Sequence, residues 1–240
     1  MLIWVASVLL GLIVLVVVAL LLYAHIGVMA AEEGPLRSVR DDPAIVLDDS
    51  GDSIVMTPAA GASGEGLVFI PGAKVDPLAY AAKLSGLVAE DGLTVVITRP
   101  TLNLAFFDLR PLSAFTDAAP DVDRWLVGGH SLGGVKACQL AADADGLVLF
   151  ASYCANDLSG TDLPVLSIGG SEDGLSTPAK IADARGELPA SAELVEIAGA
   201  SHASFGDYGP QAGDGTPSID DAEMTAQLTA LVGAFASPAP

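Results

Sequence analysis

The chain has 240 residues, enough for one large or two small domains, and 51% of them are apolar against 17% charged. With 30 acidic residues against 10 basic ones the net charge is −20, which excludes nucleic acid as a partner, because phosphate binding rests on Lys and Arg. Two cysteines, Cys138 and Cys154, exclude a disulfide framework and a thiolate-rich zinc site, and Cys154 is expected as a buried, inert thiol.

No Asp, Glu, Lys or Arg occurs before Glu32, so the whole charge sits on the rest of the chain. The run Leu2 to Leu22 holds 16 Leu, Ile or Val residues. Its length as a helix is roughly 31 Å, one hydrocarbon core, and membrane insertion is favourable by roughly 5 to 10 kcal/mol. Residues 1–23 are therefore read as a transmembrane anchor, with Trp4 and Tyr23 at its two interfaces, and the lipid bilayer as the partner of residues 2–22. A cleaved signal peptide with Val28-Met29-Ala30 as its site is the competing reading, but the basic n-region is missing and the apolar stretch is too long. A buried core helix would carry a polar stripe. Arg37 and Arg40 after the span favour a cytoplasmic domain, yet acidic neighbours surround them, and the side of the membrane stays open.

Residues 24–43 read as a linker, 44–236 as one α/β domain, and 237–240 as a tail. Ala44–Leu47 and Ser53–Thr57 flank an Asp/Gly-rich turn and predict a hairpin. Further strands are expected at Leu67–Ile70, Thr94–Thr98, Trp125–Val127, Gly146–Phe150, Pro164–Ile168 and Glu193–Ile197. Helices are expected within Pro77–Ala89, Leu104–Phe115, Gly133–Ala142, Pro178–Arg185 and Asp220–Phe235. Continuous apolar β-runs alternating with helices mean a mostly parallel sheet covered on both faces.

The segment Trp125-Leu-Val-Gly-Gly-His-Ser-Leu-Gly-Gly134 carries Gly129-x-Ser131-x-Gly133 between a strand and a helix, the context of a nucleophile elbow. A strand turning sharply into a helix brings backbone against the flanking positions, which need glycine. The helix N-terminus behind the serine favours a developing oxyanion. Three histidines are available as base. His25 lies at the membrane end and His130 adjoins the serine and should project away from it, which leaves His202 in the loop after the last strand. Its orienting carboxylate is assigned to Asp173 in Gly169-Gly-Ser-Glu-Asp-Gly174, with Asp157 as rival and Glu172 as the weaker neighbour.

Strand, Gly-His-Ser-Leu-Gly, helix, then Gly-Gly-Ser-Glu-Asp-Gly, then Gly-Ala-Ser-His-Ala, in the order Ser…Asp…His, resembles the α/β-hydrolases, specifically the compact branch near dienelactone hydrolase and small esterases. The resemblance covers roughly Leu67 to Phe235. It implies an α/β-hydrolase fold, with Ser131 as nucleophile, His202 as general acid/base and Asp173 as its partner. It also implies an oxyanion hole from the backbone N–H groups of Leu132 and Ala73, the latter on the loop Pro71-Gly-Ala-Lys-Val-Asp76. That loop lacks the usual His-Gly opening, and dienelactone hydrolases use cysteine where this chain has Ser131.

The stretch between Phe150 and Leu163 is too short for a helical lid, so an open site roofed by loops is expected, with Asn103, Phe106 and Tyr208 as substrate-binding residues. Asp76 and Asp108 read equally well as helix caps. No P-loop lysine, His-Glu-x-x-His or dinucleotide fingerprint is present, and neither cofactor nor metal is expected. The expected reaction is acyl transfer to water from a small or amphiphilic substrate, a carboxylic ester first, with thioesters and amides behind it. The alternatives are a catalytically silent, membrane-tethered binding protein on the same fold and a cofactor-free perhydrolase.

Overall fold

The computed structural model of the chain describes residues 2–237. Met1 and residues 238–240, parts of the expected anchor and tail, lie outside the described residues.

Eight strands form one sheet in the order β1-β2-β4-β3-β5-β6-β7-β8. They are β1 Ile45–Asp48, β2 Ser53–Pro58, β3 Glu65–Ile70, β4 Thr94–Thr98, β5 Arg124–His130, β6 Gly146–Phe150, β7 Val165–Gly170 and β8 Glu193–Ile197. β1 pairs antiparallel with β2, as the turn at Asp48–Asp52 requires, and β2 antiparallel with β4, while every pairing from β4 to β8 is parallel. Side chains alternate across the sheet. Leu67, Phe69, Leu126, Val148 and Phe150 enter one apolar layer, and Val68, Ile70, Val127, Leu147 and Leu149 enter the other. Both faces are covered, which is why these strands read as unbroken apolar runs.

The helices are α1 Leu2–His25, α2 Glu33–Arg40, α3 Ser85–Ala89, α4 Ser113–Thr116, α5 Leu132–Leu140, α6 Pro178–Asp183 and α7 Asp221–Ala236. α3 and α7 cover one face; α5 lies against β3, β5 and β6 on the other. Asp220 Oδ1 caps α7 by accepting the Glu223 N–H at 2.8 Å. Beyond α1, the stretch 24–43 expected as a linker contains α2 and a backbone bridge from Met29 to Val75.

Two expected helices are shorter than their apolar spacing suggested. Pro77–Ala89 is a 3-10 turn, capped by Asp76, leading to α3. Leu104–Phe115 breaks into the 3-10 turns Thr101–Asn103 and Ala105–Phe107, followed by the single turn of α4. Asp108 starts no helix of its own: its carboxylate binds the Arg110 side chain at 2.6 and 2.9 Å and accepts the Arg110 N–H at 3.2 Å, and Pro111 disfavours the helical region for Arg110.

The chain leaves β3 toward β4 on one side, then returns to lay β5 on the other. The C-terminal ends of β3 and β5 therefore diverge at a topological switch point, where open α/β sheets form their crevice. Ile70 and Gly129 are register partners there, which sets the loop after Ile70 beside Ser131.

Candidate active site

Ser131 terminates β5 and starts α5 with φ 53° and ψ −121°, a left-handed bend that a side-chain-bearing residue adopts only under constraint. The constraint is visible on both sides. A Cβ at Gly129 would lie 2.5 Å from the Gly133 carbonyl carbon and 2.7 Å from the Ile70 oxygen, so the approach of strand, turn and helix depends on glycine. The Ser131 N–H donates to the Phe150 carbonyl at 3.0 Å, and Ser152 Oγ donates to the Ser131 carbonyl at 2.7 Å. The serine is partly exposed. Among the described residues its hydroxyl has no hydrogen-bond partner, so the backbone bend alone aims it.

Asp173 follows β7 and His202 follows β8, and the two meet: His202 Nδ1 and Asp173 Oδ2 are 2.8 Å apart, with both side chains buried. Asp173 Oδ1 accepts the Leu175 and Ser176 N–H groups at 2.8 and 2.7 Å. The carboxylate is thus fixed before it fixes the imidazole, and a proton on Nδ1 leaves Nε2 free to accept. The rivals are occupied elsewhere. Exposed Asp157 accepts from Ser159 N–H and Oγ, which lower its pKa, and Glu172 is exposed beside Ser171.

At the loop after β3, the Gly72 N–H donates to Tyr80 Oη, the Lys74 N–H to the Asn103 carbonyl and the Val75 N–H to the Gly72 carbonyl. The Ala73 N–H is left without an acceptor among the described residues, as is that of Leu132 at the first position of α5.

His130 is buried beside His202, with ring centroids 4.5 Å apart. Burial, then the neighbouring His202, hold its pKa well below the ordinary value, so it is neutral. Its Nδ1 lies 2.9 Å from Tyr80 Oη. Since that oxygen accepts from Gly72, its own proton goes to Nδ1, and the chain Gly72–Tyr80–His130 ties the β3 loop to the elbow. Burial also pushes the Tyr80 phenol up, which keeps it protonated.

The three residues expected to bind substrate lie in different settings. Asn103 donates from Nδ2 to the Ala24 carbonyl at 3.2 Å, so its amide serves the end of α1. Phe106 is exposed at the surface. Tyr208 is buried, 6.3 Å from the His130 ring, with its hydroxyl on Gln211. The expectation of an inert thiol at Cys154 is corrected: Cys138 of α5 and Cys154 after β6 form a disulfide. α5 covers β6, which brings the two together; read singly, neither cysteine predicts the other.

Sequence reasoning missed Asp214, in an irregular loop with no local motif. Its Oδ1 accepts the N–H groups of Gly174, His202 and Gly215, and its Oδ2 that of Ala203. Burial works to raise its pKa, but these backbone donors outweigh it and hold the carboxyl below the usual range.

The sequence model of the Alpha/beta hydrolase family matches residues 66–226, and the chain belongs to that family. Solved structures agree on the fold. The esterase domain of a Rhodothermus marinus protein is 16% identical, with a TM-score of 0.59 over 80% of this chain and 96% of that one. An α/β serine hydrolase without a lid from Xanthomonas campestris is 18% identical, with a TM-score of 0.51 over 82% and 96% of the two chains. No curated protein is similar to this chain. This chain likewise runs from β6 to β7 without a helix.

Proposed function

We propose that the protein is a membrane-anchored serine hydrolase that cleaves carboxylic esters through Ser131, His202 and Asp173. The observation that carries this reading is the buried 2.8 Å contact of His202 Nδ1 with Asp173 Oδ2, at the same sheet edge as a serine held on a strained elbow. His202 Nε2 takes the Ser131 proton as Oγ attacks the carbonyl carbon, and the unclaimed Ala73 and Leu132 N–H groups receive the oxyanion. The imidazolium then protonates the leaving alcohol. Water, deprotonated by the same nitrogen, attacks the acyl-enzyme and releases the acid. The Ser131–His202 hydrogen bond is the contact that closes with substrate.

α1 supports the anchor: Ser7–His25 is long and apolar enough to cross a membrane, and its side chains are exposed rather than buried in a core. The Cys138–Cys154 disulfide supports a domain on the oxidising side, as disulfides seldom persist in the cytosol. The two arginines that favoured the cytoplasm are paired, Arg37 with Glu33 and Arg40 with Asp49.

Fluorophosphonate labelling of the full chain, followed by an ester panel of graded acyl length, tests the reading. Labelling confined to Ser131 and a loss of about 10⁴-fold or more in hydrolysis for Ser131→Ala and His202→Ala are expected. An unlabelled protein would be the silent binding protein instead, and peracid formation exceeding hydrolysis would make it a perhydrolase.

A further inference from the structure

Apart from Ile26 at the end of the anchor, five large apolar side chains are exposed beyond α1 among the described residues: Val46, Phe106, Phe107, Leu109 and Leu194. Val46 and Leu194 lie on the two outermost strands of the sheet. The other three crowd into four consecutive positions, and Leu109 is 87% exposed. Water-soluble surfaces rarely gather such side chains without a partner for them.

The position of this knuckle identifies the partner. The adjoining turn is bonded to the anchor, because Asn103 Nδ2 holds the Ala24 carbonyl and the Asn103 carbonyl accepts the Lys74 N–H. Met29, five residues past Ala24, pairs with the loop after β3: its N–H donates to the Lys74 carbonyl at 2.8 Å, and its carbonyl accepts the Asp76 N–H at 2.8 Å. Leu102 and Asn103 both sit at positive φ, 59° and 55°, so the turn is constrained to this route. On its other side the turn Ala105–Phe107 rests against α5, the helix that starts at the serine. The turn is therefore tied on one side to the exit of the anchor and on the other to the helix that starts at the serine.

Charge agrees with an interfacial position. Asp108 and Arg110 neutralise each other at 2.6 Å, so the knuckle brings no net charge to a headgroup layer. Lys74 Nζ stands 4.5 Å from the centroid of the Tyr23 ring, a cation and an aromatic at the level where a span leaves the hydrocarbon. The chain as a whole, at −20, disfavours an anionic surface.

We infer that the segment Phe106–Leu109 is a second membrane contact, dipping into a neutral, zwitterionic bilayer beside the anchor, so that the site opens at the lipid surface and takes long-chain acyl esters from the lipid phase. The inference rests on the membrane-anchored hydrolase reading and adds where the mouth lies and which phase supplies substrate.

The full chain in phosphatidylcholine nanodiscs provides the test. An environment-sensitive nitrobenzoxadiazole fluorophore is attached at Leu109→Cys, at Val14→Cys in mid-anchor and at Leu194→Cys on the far edge strand. Spin-labelled lipids with shallow or deep nitroxides then report depth. The expected result is quenching at position 109 by the shallow nitroxide, at 14 by the deep one, and at 194 by neither. Quenching at 14 with position 109 as dark to lipid as 194 overturns the inference and leaves the anchor; no quenching at 14 or 109 overturns both. In the same discs, Leu109→Asp should lower kcat/KM for a bilayer-dissolved long-chain ester by about 5-fold or more. Its hydrolysis of a water-soluble short-chain ester should stay within about 2-fold of the parent, which also reports an intact fold. Equal rates of both proteins on the bilayer ester overturn the lipid-phase supply. Quenching at 109 in a protein that hydrolyses neither ester overturns the hydrolase reading alone.

Discussion

Asp214 holds His202 by its backbone: Oδ1 accepts the His202 N–H at 3.0 Å and, with the same atom, the Gly174 N–H at 3.0 Å. One carboxylate thus clips together the loop that carries the imidazole and the loop that carries Asp173. Asp214 is a positioning residue, since it reaches the site only through other groups. Replacing it by alanine frees four N–H groups and lets the two loops drift. A displacement of about 1 Å at a catalytic group costs up to about 10²-fold, so Asp214→Ala should lower kcat by about that factor with a smaller change in KM. Asp214→Asn, which retains one acceptor oxygen, should fall between the two. Steady-state ester hydrolysis separates these outcomes, and equal loss in kcat and fluorophosphonate-accessible protein would mean unfolding instead.

The same carboxylate sets a pH dependence. Its folded pKa is below the ordinary value of 3.8, so the stability it contributes is complete above that value and drains away as pH falls below it, through the lowered folded value. The Tm gap between the parent protein and Asp214→Asn should therefore be constant from pH 8 to pH 5 and shrink in more acidic buffer. A gap that widens on acidification would contradict the assignment.

Tyr80→Phe removes the oxygen shared by Gly72 and His130. Two buried polar groups then lose their partner, a cost of about 1 to 3 kcal/mol each. Urea denaturation should show the loss. Because Gly72 precedes Ala73, kcat should fall as well, by about 10-fold, while His130, still buried, stays neutral.

The disulfide closes a loop between residues 16 apart. In the chain-entropy account a loop of that size is worth about 3 kcal/mol, which for a domain of this size is a Tm shift of about 6 to 12 °C. Cys138→Ser with Cys154→Ser should show that decrease by calorimetry, and dithiothreitol should bring the parent protein to the same Tm. A mobility shift with a thiol-reactive polymer only after reduction checks that the bond exists in the isolated protein.

The sheet and the triad candidates were legible because each has a local signature. Apolar runs at Thr94–Thr98 and Gly146–Phe150 coincide with β4 and β6, since strands buried on both faces leave nothing else to read. Ser131 was marked by glycines that the bend demands, and His202 by the scarcity of its kind. The segment Leu104–Phe115 misled because its apolar residues have helical spacing, while Pro111 and the Asp108–Arg110 contact break the path. β5 runs on to His130, beyond the expected Val127, because Gly128 and Gly129 carry little strand propensity yet are demanded by the neighbouring backbone. Tyr80 bonds Gly72 8 positions away and His130 50 away, Asp214 bonds His202 12 away and Gly174 40 away, and the cysteines are 16 apart; no local motif marks any of these contacts, because each joins separate elements or loops only in the fold. The amide of Asn103, an expected substrate-binding residue, also bonds a carbonyl 79 positions earlier, a contact that no local pattern marks.

Met29 has a consequence for anyone preparing the protein. Its two backbone bonds to Lys74 and Asp76 brace the loop that carries Ala73, much as a splint braces a joint. Trimming the chain after Ala31 to obtain a water-soluble form discards that splint along with the greasy leader. The truncated protein would keep Ser131, His202 and Asp173 and still be the wrong molecule to assay, because the loop after β3 would have lost both of its bonds to Met29.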